Sequence, residues 1–349
     1  PDRKFIAALP MPTDPVISVL NLDNDSSGAT NVTLKTTDYS PAAAGKTHAF
    51  SLVGWDKDGR YLLVRHVYDD TKTEYLAVDS RGSDATKNIT TSLGVDITKI
   101  VYSLDNKNIV YILTAAHEIR RGDLSANTLS GPLVSNVADF NTYDHNTLTF
   151  ETLLDTITKA RSIGYITIVS AKARIITSYT DDGTPAMKLR FGKYYSESYA
   201  VIAYGNQVKI LKGDIPASDS TNAPKLDTVA TITVDGGAQT LGFSPDKGQF
   251  VFAQNGASVA TFDLELLQIG RATLAGAPTK PLEWVDDYHF TSTAGGACHY
   301  FDFDGKNDHT VATISLDLPC TVSNNSKYTY HFTTGDGAVK VVRTKLTTN

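Results

Sequence analysis

Residues 54–64 read GWDKDGRYLLV and residues 242–252 read GFSPDKGQFVF. Each is an aromatic residue, a short charged turn and an alternating apolar run. Asp, Gly and Pro at the centre reverse the chain, and alternation at period two marks a half-buried strand, because a helix repeats at 3.6. The same sentence recurs in weaker form as VYSLDNKNIVYIL, TYDHNTLTFETL, RFGKYYSESYAVIA, EWVDDYHFTST and TVSNNSKYTYHF. Its anchors are Trp55, Tyr102, Tyr143, Phe191, Phe243, Trp284 and Val322. They follow one another at intervals of about 40 to 50 residues, long enough for four short strands and their turns.

The fifth unit shows those strands as AQTLGFSPDK, GQFVFAQNG, ASVATFDLE and IGRATLAG, split by Gly, Asn and Asp. The stretch 150–162, FETLLDTITKARS, has some helical character, but its β-branched residues read as a hairpin, and no persuasive amphipathic helix is present. The expected fold is therefore all-β, a β-propeller of seven four-stranded blades in which each aromatic wedges between neighbours. The seventh unit supplies three strands before the sequence ends, and an unpaired sheet edge exposes unmet backbone groups. ATNVTLKTT (29–37) is the expected closing strand of the last blade, with PVISVLNLD (15–23) as second choice. Residues 1–46 then form an N-terminal segment that includes the ring-closing strand, and residues 47–349 the propeller, together a single domain.

Composition narrows the partners. Of the 349 residues 41% are hydrophobic and 20% charged, the balance of an ordinary globular chain. With 38 acidic against 32 basic side chains the net charge is −6, so a nucleic acid backbone meets no general attraction and none is expected as partner. The apolar run YITIVSAKARIITSY is broken by Lys172 and Arg174, short of the roughly 18 residues of a spanning helix. The chain opens on Pro1 without a basic, then apolar, leader, and an upstream part is expected.

GFSPDKGQFVFA resembles the blade motif of TolB-type propellers, aromatic-Ser-Pro-Asp-Gly followed by an apolar strand, and GWDKDGRYLLV is a close variant. The resemblance runs from about residue 47 to the C-terminus, and the first and fifth units match best. Trp55-Asp56 precedes a turn into the second strand and lacks an upstream Gly-His partner, unlike eukaryotic WD repeats. The chain is also similar in style to bacterial cell-surface proteins that carry a membrane anchor and PEGA-type domains ahead of such a propeller. That resemblance implies an extracellular or cell-surface location, with the periplasm as the alternative, and anchoring through the upstream region.

Catalytic motifs are sparse. No Gly-x-Ser-x-Gly, His-Glu-x-x-His or phosphate loop occurs. His117-Glu118 lacks a second His, and Arg121-Gly122-Asp123 falls at a strand-to-turn junction. The eight His are scattered. We therefore expect a non-catalytic binding or scaffold propeller, monomeric, that recognises a protein, peptide or glycan through loops on one rim. The alternative is a hydrolase or lyase with its site at the mouth of the central channel. Sorting loops by strand order places Tyr68, Asp69, Asp70, His117, Asp155, Asp181, Asp182, Asp235 and Asp336 on one rim, which would be acidic and attract a basic segment or a divalent cation. No cofactor is expected, with one candidate: Asp302, Asp304 and Asp308 near Gly305 have calcium-loop spacing without the closing Glu. Their other reading is a plain Asp-Gly turn. Cys298 and Cys320 fall toward the same rim of adjacent blades, where a disulfide is permitted but not required.

Overall fold

A computed structural model describes residues 4–22, 28–170, 172–180, 187–245, 247–274, 276–278, 282–314, 318, 320–323, 327–335 and 338–346. The chain divides into two compact units, Pro1–Leu153 with Tyr165–Arg174, and Leu154–Gly164 with Ile175–Asn349. Among the described residues no helix is long and apolar enough to cross a membrane.

The strands form eight sheets in chain order, so the β-propeller has eight blades and not the expected seven. The first sheet joins Phe5–Ala8, Val16–Asn21 and Thr30–Thr33. The second contains Ala49–Trp55, Tyr61–Asp69, Lys72–Asp79 and Lys87–Asn88. The third is built on Ile97–Tyr102, Ile109–Thr114 and Glu118–Asp123. The fourth orders Val137–Thr142, Thr147–Thr152, Ala160–Thr167 and Arg174–Thr180, with a hairpin where a helix was the other reading of 150–162. The fifth starts at Lys188–Tyr194, the sixth at Thr240–Phe243, the seventh at Glu283–Trp284 and the eighth at Thr321–Val322.

The seven sequence anchors mark the second to eighth sheets, and the extra blade is the N-terminal segment. Thr30–Thr33 does not close the last blade: it pairs with Val16–Asn21, Val16 opposite Thr33, and the second-choice strand is the middle of the same sheet. The reason is burial. Ile17, Val19, Val32 and Leu34 lie in one core cluster with Leu62, Val64, Leu76 and Val78 of the second sheet, which a strand removed to the far end would forfeit. The eighth sheet, among the described residues, pairs only Thr321–Val322, Tyr328–Gly335 and Ala338–Lys345 with one another.

The repeated sentence has a physical meaning at most of its anchors. The residue after the aromatic closes a backbone bond across the turn: Asp56 N–H to Tyr61 O at 2.8 Å, Ser103 to Ile109 at 2.9 Å, Ser244 to Phe250 at 2.8 Å and Ser323 to Tyr328 at 2.9 Å. The same residue's side chain often caps the turn as well. Asp56 Oδ1 accepts from the Arg60 and Tyr61 amides, and Ser244 Oγ and Ser323 Oγ accept from the Phe250 and Tyr328 amides. Gly59 (φ 64°) and Gly248 (φ 70°) take the left-handed conformation the turn needs.

The anchors then wedge between sheets. Trp55 packs on Phe5 of the first sheet, rings 6.1 Å apart, and Tyr102 joins Leu63, Tyr75 and Ala77 of the second. Phe243 lies so close to Gly192 of the fifth sheet that a Cβ there would sit 2.6 Å from the ring. One five-residue helix, Ile89–Leu93, breaks the expectation of an all-strand chain; Asn88 caps its start and Gly94 its end. Its Leu93 would be 2.8 Å from a Cβ on Gly122, so Arg121-Gly122-Asp123 is a strand packed beneath the helix.

Cys298 and Cys320 are joined in a disulfide, Cα atoms 6.0 Å apart and both side chains buried. It ties the third strand of the seventh sheet to the start of the eighth. Thiol titration of the denatured, unreduced protein should find no reactive thiol; two would refute the bridge. Gly192→Ala should destabilise the protein by about 1–3 kcal/mol, read as a lower thermal midpoint, because the new Cβ would meet the Phe243 ring and push it out of its packing.

A buried histidine–glutamate chain beside a polar cavity

In the first unit, Tyr61–Asp69 and Lys72–Asp79 form a hairpin whose register puts His66 directly opposite Glu74. Both side chains are buried, at 0% and 2% exposure. On the other side Phe50 of Ala49–Trp55 lies opposite His66 and stacks on it, ring centroids 4.3 Å apart. His48 lies two residues before Phe50, and alternation brings it to the same face. A continuous chain results: His48 Nδ1 to His66 Nε2 at 2.8 Å, and His66 Nδ1 to Glu74 Oε1 at 2.8 Å.

Glu74 is fully engaged. Ser40 donates to it through its amide at 2.7 Å and its hydroxyl at 2.8 Å, and Asn88 Nδ2 through a third bond at 2.7 Å. Burial alone would raise the Glu74 pKa, but the hydrogen bonds from His66, Ser40 and Asn88 outweigh it and hold the carboxyl down at about 2. His48 is lowered from its ordinary value, first by burial and then by the neighbouring His66, with Glu74 opposing.

Residues 38–48 run back over this hairpin. Ala43 N–H donates to Tyr68 O at 2.9 Å, Lys46 Nζ pairs with Asp70 at 2.5 Å, and Tyr39 sets its ring edge on His48, Phe50 and His66. Beside it a cavity of about 580 Å3 opens between the second and third sheets, lined by Arg65, Tyr68, Thr71, Lys72, Thr73, Asp96, Ile97, Thr98 and Ala115. A second, of about 380 Å3, shares Asp96 and Ala115 and includes Glu118 and Arg120, which form an ion pair at 2.7 Å.

The structure places the expected binding residues as follows. Tyr68 lines the larger cavity and its ring lies 5.5 Å from His66; Asp69 accepts from the Asp70 amide, and the charge of Asp70 is met by Lys46. His117 turns the chain at φ 61° between Ala116 and Glu118, which line the smaller cavity, and its Nδ1 lies 3.2 Å from Val137 O. Asp155 and Asp235 belong to the second unit, each in its own turn: Asp155 accepts from the Ile157 and Thr158 amides, and Asp235 O from Asn255. Asp181, Asp182 and Asp336 lie outside the described residues. Among the described candidates, only Tyr68, Asp69 and Asp70 are thus brought together at one hairpin.

The calcium candidates do not converge. Asp302 meets Asn307 at 2.7 Å and His289 at 3.5 Å, Asp304 meets Lys306 at 2.7 Å, and Asp308 meets His299 at 2.8 Å. Among the described residues no group of three or more His, Cys, Asp and Glu side chains could hold a metal ion. His48, His66 and Glu74 escaped the sequence reading, although folding the hairpin about Asp70-Thr71 pairs His66 with Glu74.

No protein-family model matches this chain, and no curated protein is significantly similar to it in sequence. Solved structures of similar fold include an oligogalacturonate lyase in complex with manganese (13% identity, 88% of this chain and 95% of that one, TM-score 0.52). Another is the oligogalacturonate lyase of Vibrio parahaemolyticus (10%, 98% and 96%, TM-score 0.50). A third is the Cps50 (Swd1) β-propeller domain of Myceliophteria thermophila (13%, 84% and 90%, TM-score 0.54). At such identities the likeness shows the β-propeller fold alone. The PEGA-type region and the cell-surface location implied by the sequence resemblance gain no support from it.

Glu74 generates a test of the buried chain. A carboxyl whose pKa is depressed on folding stabilises the protein fully above its ordinary value of 4.5, and this is lost as pH falls toward about 2. Denaturant titrations should show roughly 3 kcal/mol lost across that window. In Glu74→Gln that pH dependence should be absent; a variant that keeps it places the effect elsewhere.

Proposed function

We propose that this chain is a binding propeller that takes an acidic group, the carboxylate of a sugar acid or of a peptide, into the cavity between its second and third sheets. The observation that supports this reading is the lining. Its charged lining residues are Arg65 and Lys72 against a single carboxylate, Asp96, and Tyr68, Thr71, Thr73 and Thr98 complete the polar part of the wall. Cations and hydroxyls on a concave surface recognise an oxyanion by charge-assisted hydrogen bonds, with Arg able to bind it in a bidentate fork. An acidic ligand is preferred to a basic one because Asp70 of the same hairpin is already paired with Lys46.

Calorimetric titration with digalacturonate, its uncharged disaccharide analogue and a short peptide with a free C-terminal carboxylate tests it. Binding of an acidic probe should weaken at least tenfold in the double variant Arg65→Gln, Lys72→Gln, since each charged hydrogen bond contributes about 1.5–3 kcal/mol. Equal binding of the uncharged analogue, or undiminished binding by the variant, would sink the reading. The alternative, a hydrolase or lyase, draws on the two oligogalacturonate lyases of similar fold. It predicts that oligogalacturonate is cleaved during the same titration.

A further inference from the structure

We propose that the second unit holds a site of its own, a cavity between residues 175–179 and the fifth sheet that takes an apolar carboxylate, a carboxylic acid on a hydrocarbon body. It does not rest on the binding reading above, which concerns other residues, in the first unit.

The fifth sheet seals one of its faces and leaves part of the other open. Its middle strands are Glu197–Tyr204 and Gln207–Asp214, and Lys225–Thr233 is the outer one. Side chains alternate between the faces. Val201, Ala203, Val208 and Ile210 point one way, none more than 3% exposed, into a core cluster with Leu241 and Val251 of the sixth sheet. Ile202, Lys209 and Leu211 point the other way, with Lys209 directly opposite Ile202. A bulge in the outer strand sends Val229 and Ala230 together to the sealed side, and sets Thr228 opposite Leu211 and Leu226 opposite Gly213.

This second face borders a cavity of about 590 Å3, an ordinary size for a small-molecule site. Ile176, Met187, Ile202, Leu211, Pro224 and Leu226 supply its apolar wall. Tyr179 and Tyr204 line it as well, edge to face with ring centroids 4.4 Å apart. They also tie its two sides together: Tyr204 OH donates to Thr180 O and Met187 N–H to Tyr179 OH, each at 2.9 Å. The apolar wall is left uncovered within this frame, and Ile175 at its edge stays half exposed. Covering such a concave apolar surface with an apolar ligand is favourable.

One charge sets the class of ligand. Lys209 is the single charged residue of the lining, and no carboxylate accompanies it among the described residues. Its ammonium has no hydrogen-bond or ion-pair partner among them. A neutral oily ligand laid over it would strand an unpaired charge, whereas a carboxylate meets it with a charge-assisted hydrogen bond. Thr177, Gln207 and Thr228 of the same wall offer further donors to an acid group. The same lysine repels an amine.

Calorimetric titration with decanoate and with 1-decanol tests the site. Decanoate should bind, and decanol at least about threefold more weakly, the size of one partly exposed charge pair. Lys209→Gln should remove that difference by weakening decanoate alone. Thr228→Trp, at an exposed position of the outer strand that suits an aromatic residue, puts an indole into the cavity and should abolish binding of both. No binding of decanoate, equal binding of acid and alcohol, or undiminished binding in Thr228→Trp overturns the proposal. Decanoate binding that survives Thr228→Trp and is lost in Arg65→Gln, Lys72→Gln places the acid in the first unit's cavity, and so overturns this site while upholding the earlier reading. Decanoate binding in a protein that takes neither digalacturonate nor the peptide upholds this site and overturns the earlier reading instead.

Discussion

The bond that closes each first turn governs this chain. Where Asp56, Ser244 or Ser323 ties back to the start of the second strand, the aromatic or apolar residue before it is fixed at the end of the first strand. From there it can enter only the gap toward a neighbouring sheet. Trp55 and Phe243 show the result, one seated on Phe5 and the other against the bare backbone of Gly192. A sheet with one apolar face cannot bury it alone, so stacking repeats through such wedges is what makes each of them stable. The sites described above inherit their positions from this stacking, since the cavity of the first unit is a gap between two consecutive sheets.

Seven of the eight sheets were legible because the turn chemistry is local. A polar turn and an apolar strand lie within about ten residues of each anchor, with a turn glycine in the two clearest repeats, at Gly59 and Gly248. The first sheet escaped because its opening strand, Phe5–Ala8, leads into LPMPTDPV and not into that turn. Counting strands from the C-terminus then made Thr30–Thr33 look spare. The apolar residues Ile17, Val19 and Val32 were visible, but which sheet they cover is a tertiary fact. The helix Ile89–Leu93 escaped for a different reason: at five residues it has no periodicity to read, and only its caps, Asn88 and Gly94, carry the signal.

The site was harder to see than the fold. Asp was given weight as a binding residue, yet the Asp155 carboxylate accepts from its own turn, and Asp302, Asp304 and Asp308 each meet a different partner. Asp is common in loops because its side chain mimics a turn, so its abundance there says little about ligands. The informative residues were instead the polar ones inside strands. His66 and Glu74 interrupt the apolar alternation of YLLVRHVY and TEYLAVD, and a buried polar side chain must find a partner there.

The disulfide between Cys298 and Cys320 has a consequence for how the chain comes apart. Sheets that meet only through side-chain packing can open one at a time, independently of the rest. Here the last sheet is bound covalently to a strand deep in the sheet before it. Loss of the eighth sheet's packing alone would therefore leave it tethered to the seventh, and the two are coupled in unfolding while the bridge is intact. Across the next junction inward Trp284 of the seventh sheet lies 5.7 Å from Phe252 of the sixth, while inside its own sheet it packs on Phe290 at 3.7 Å.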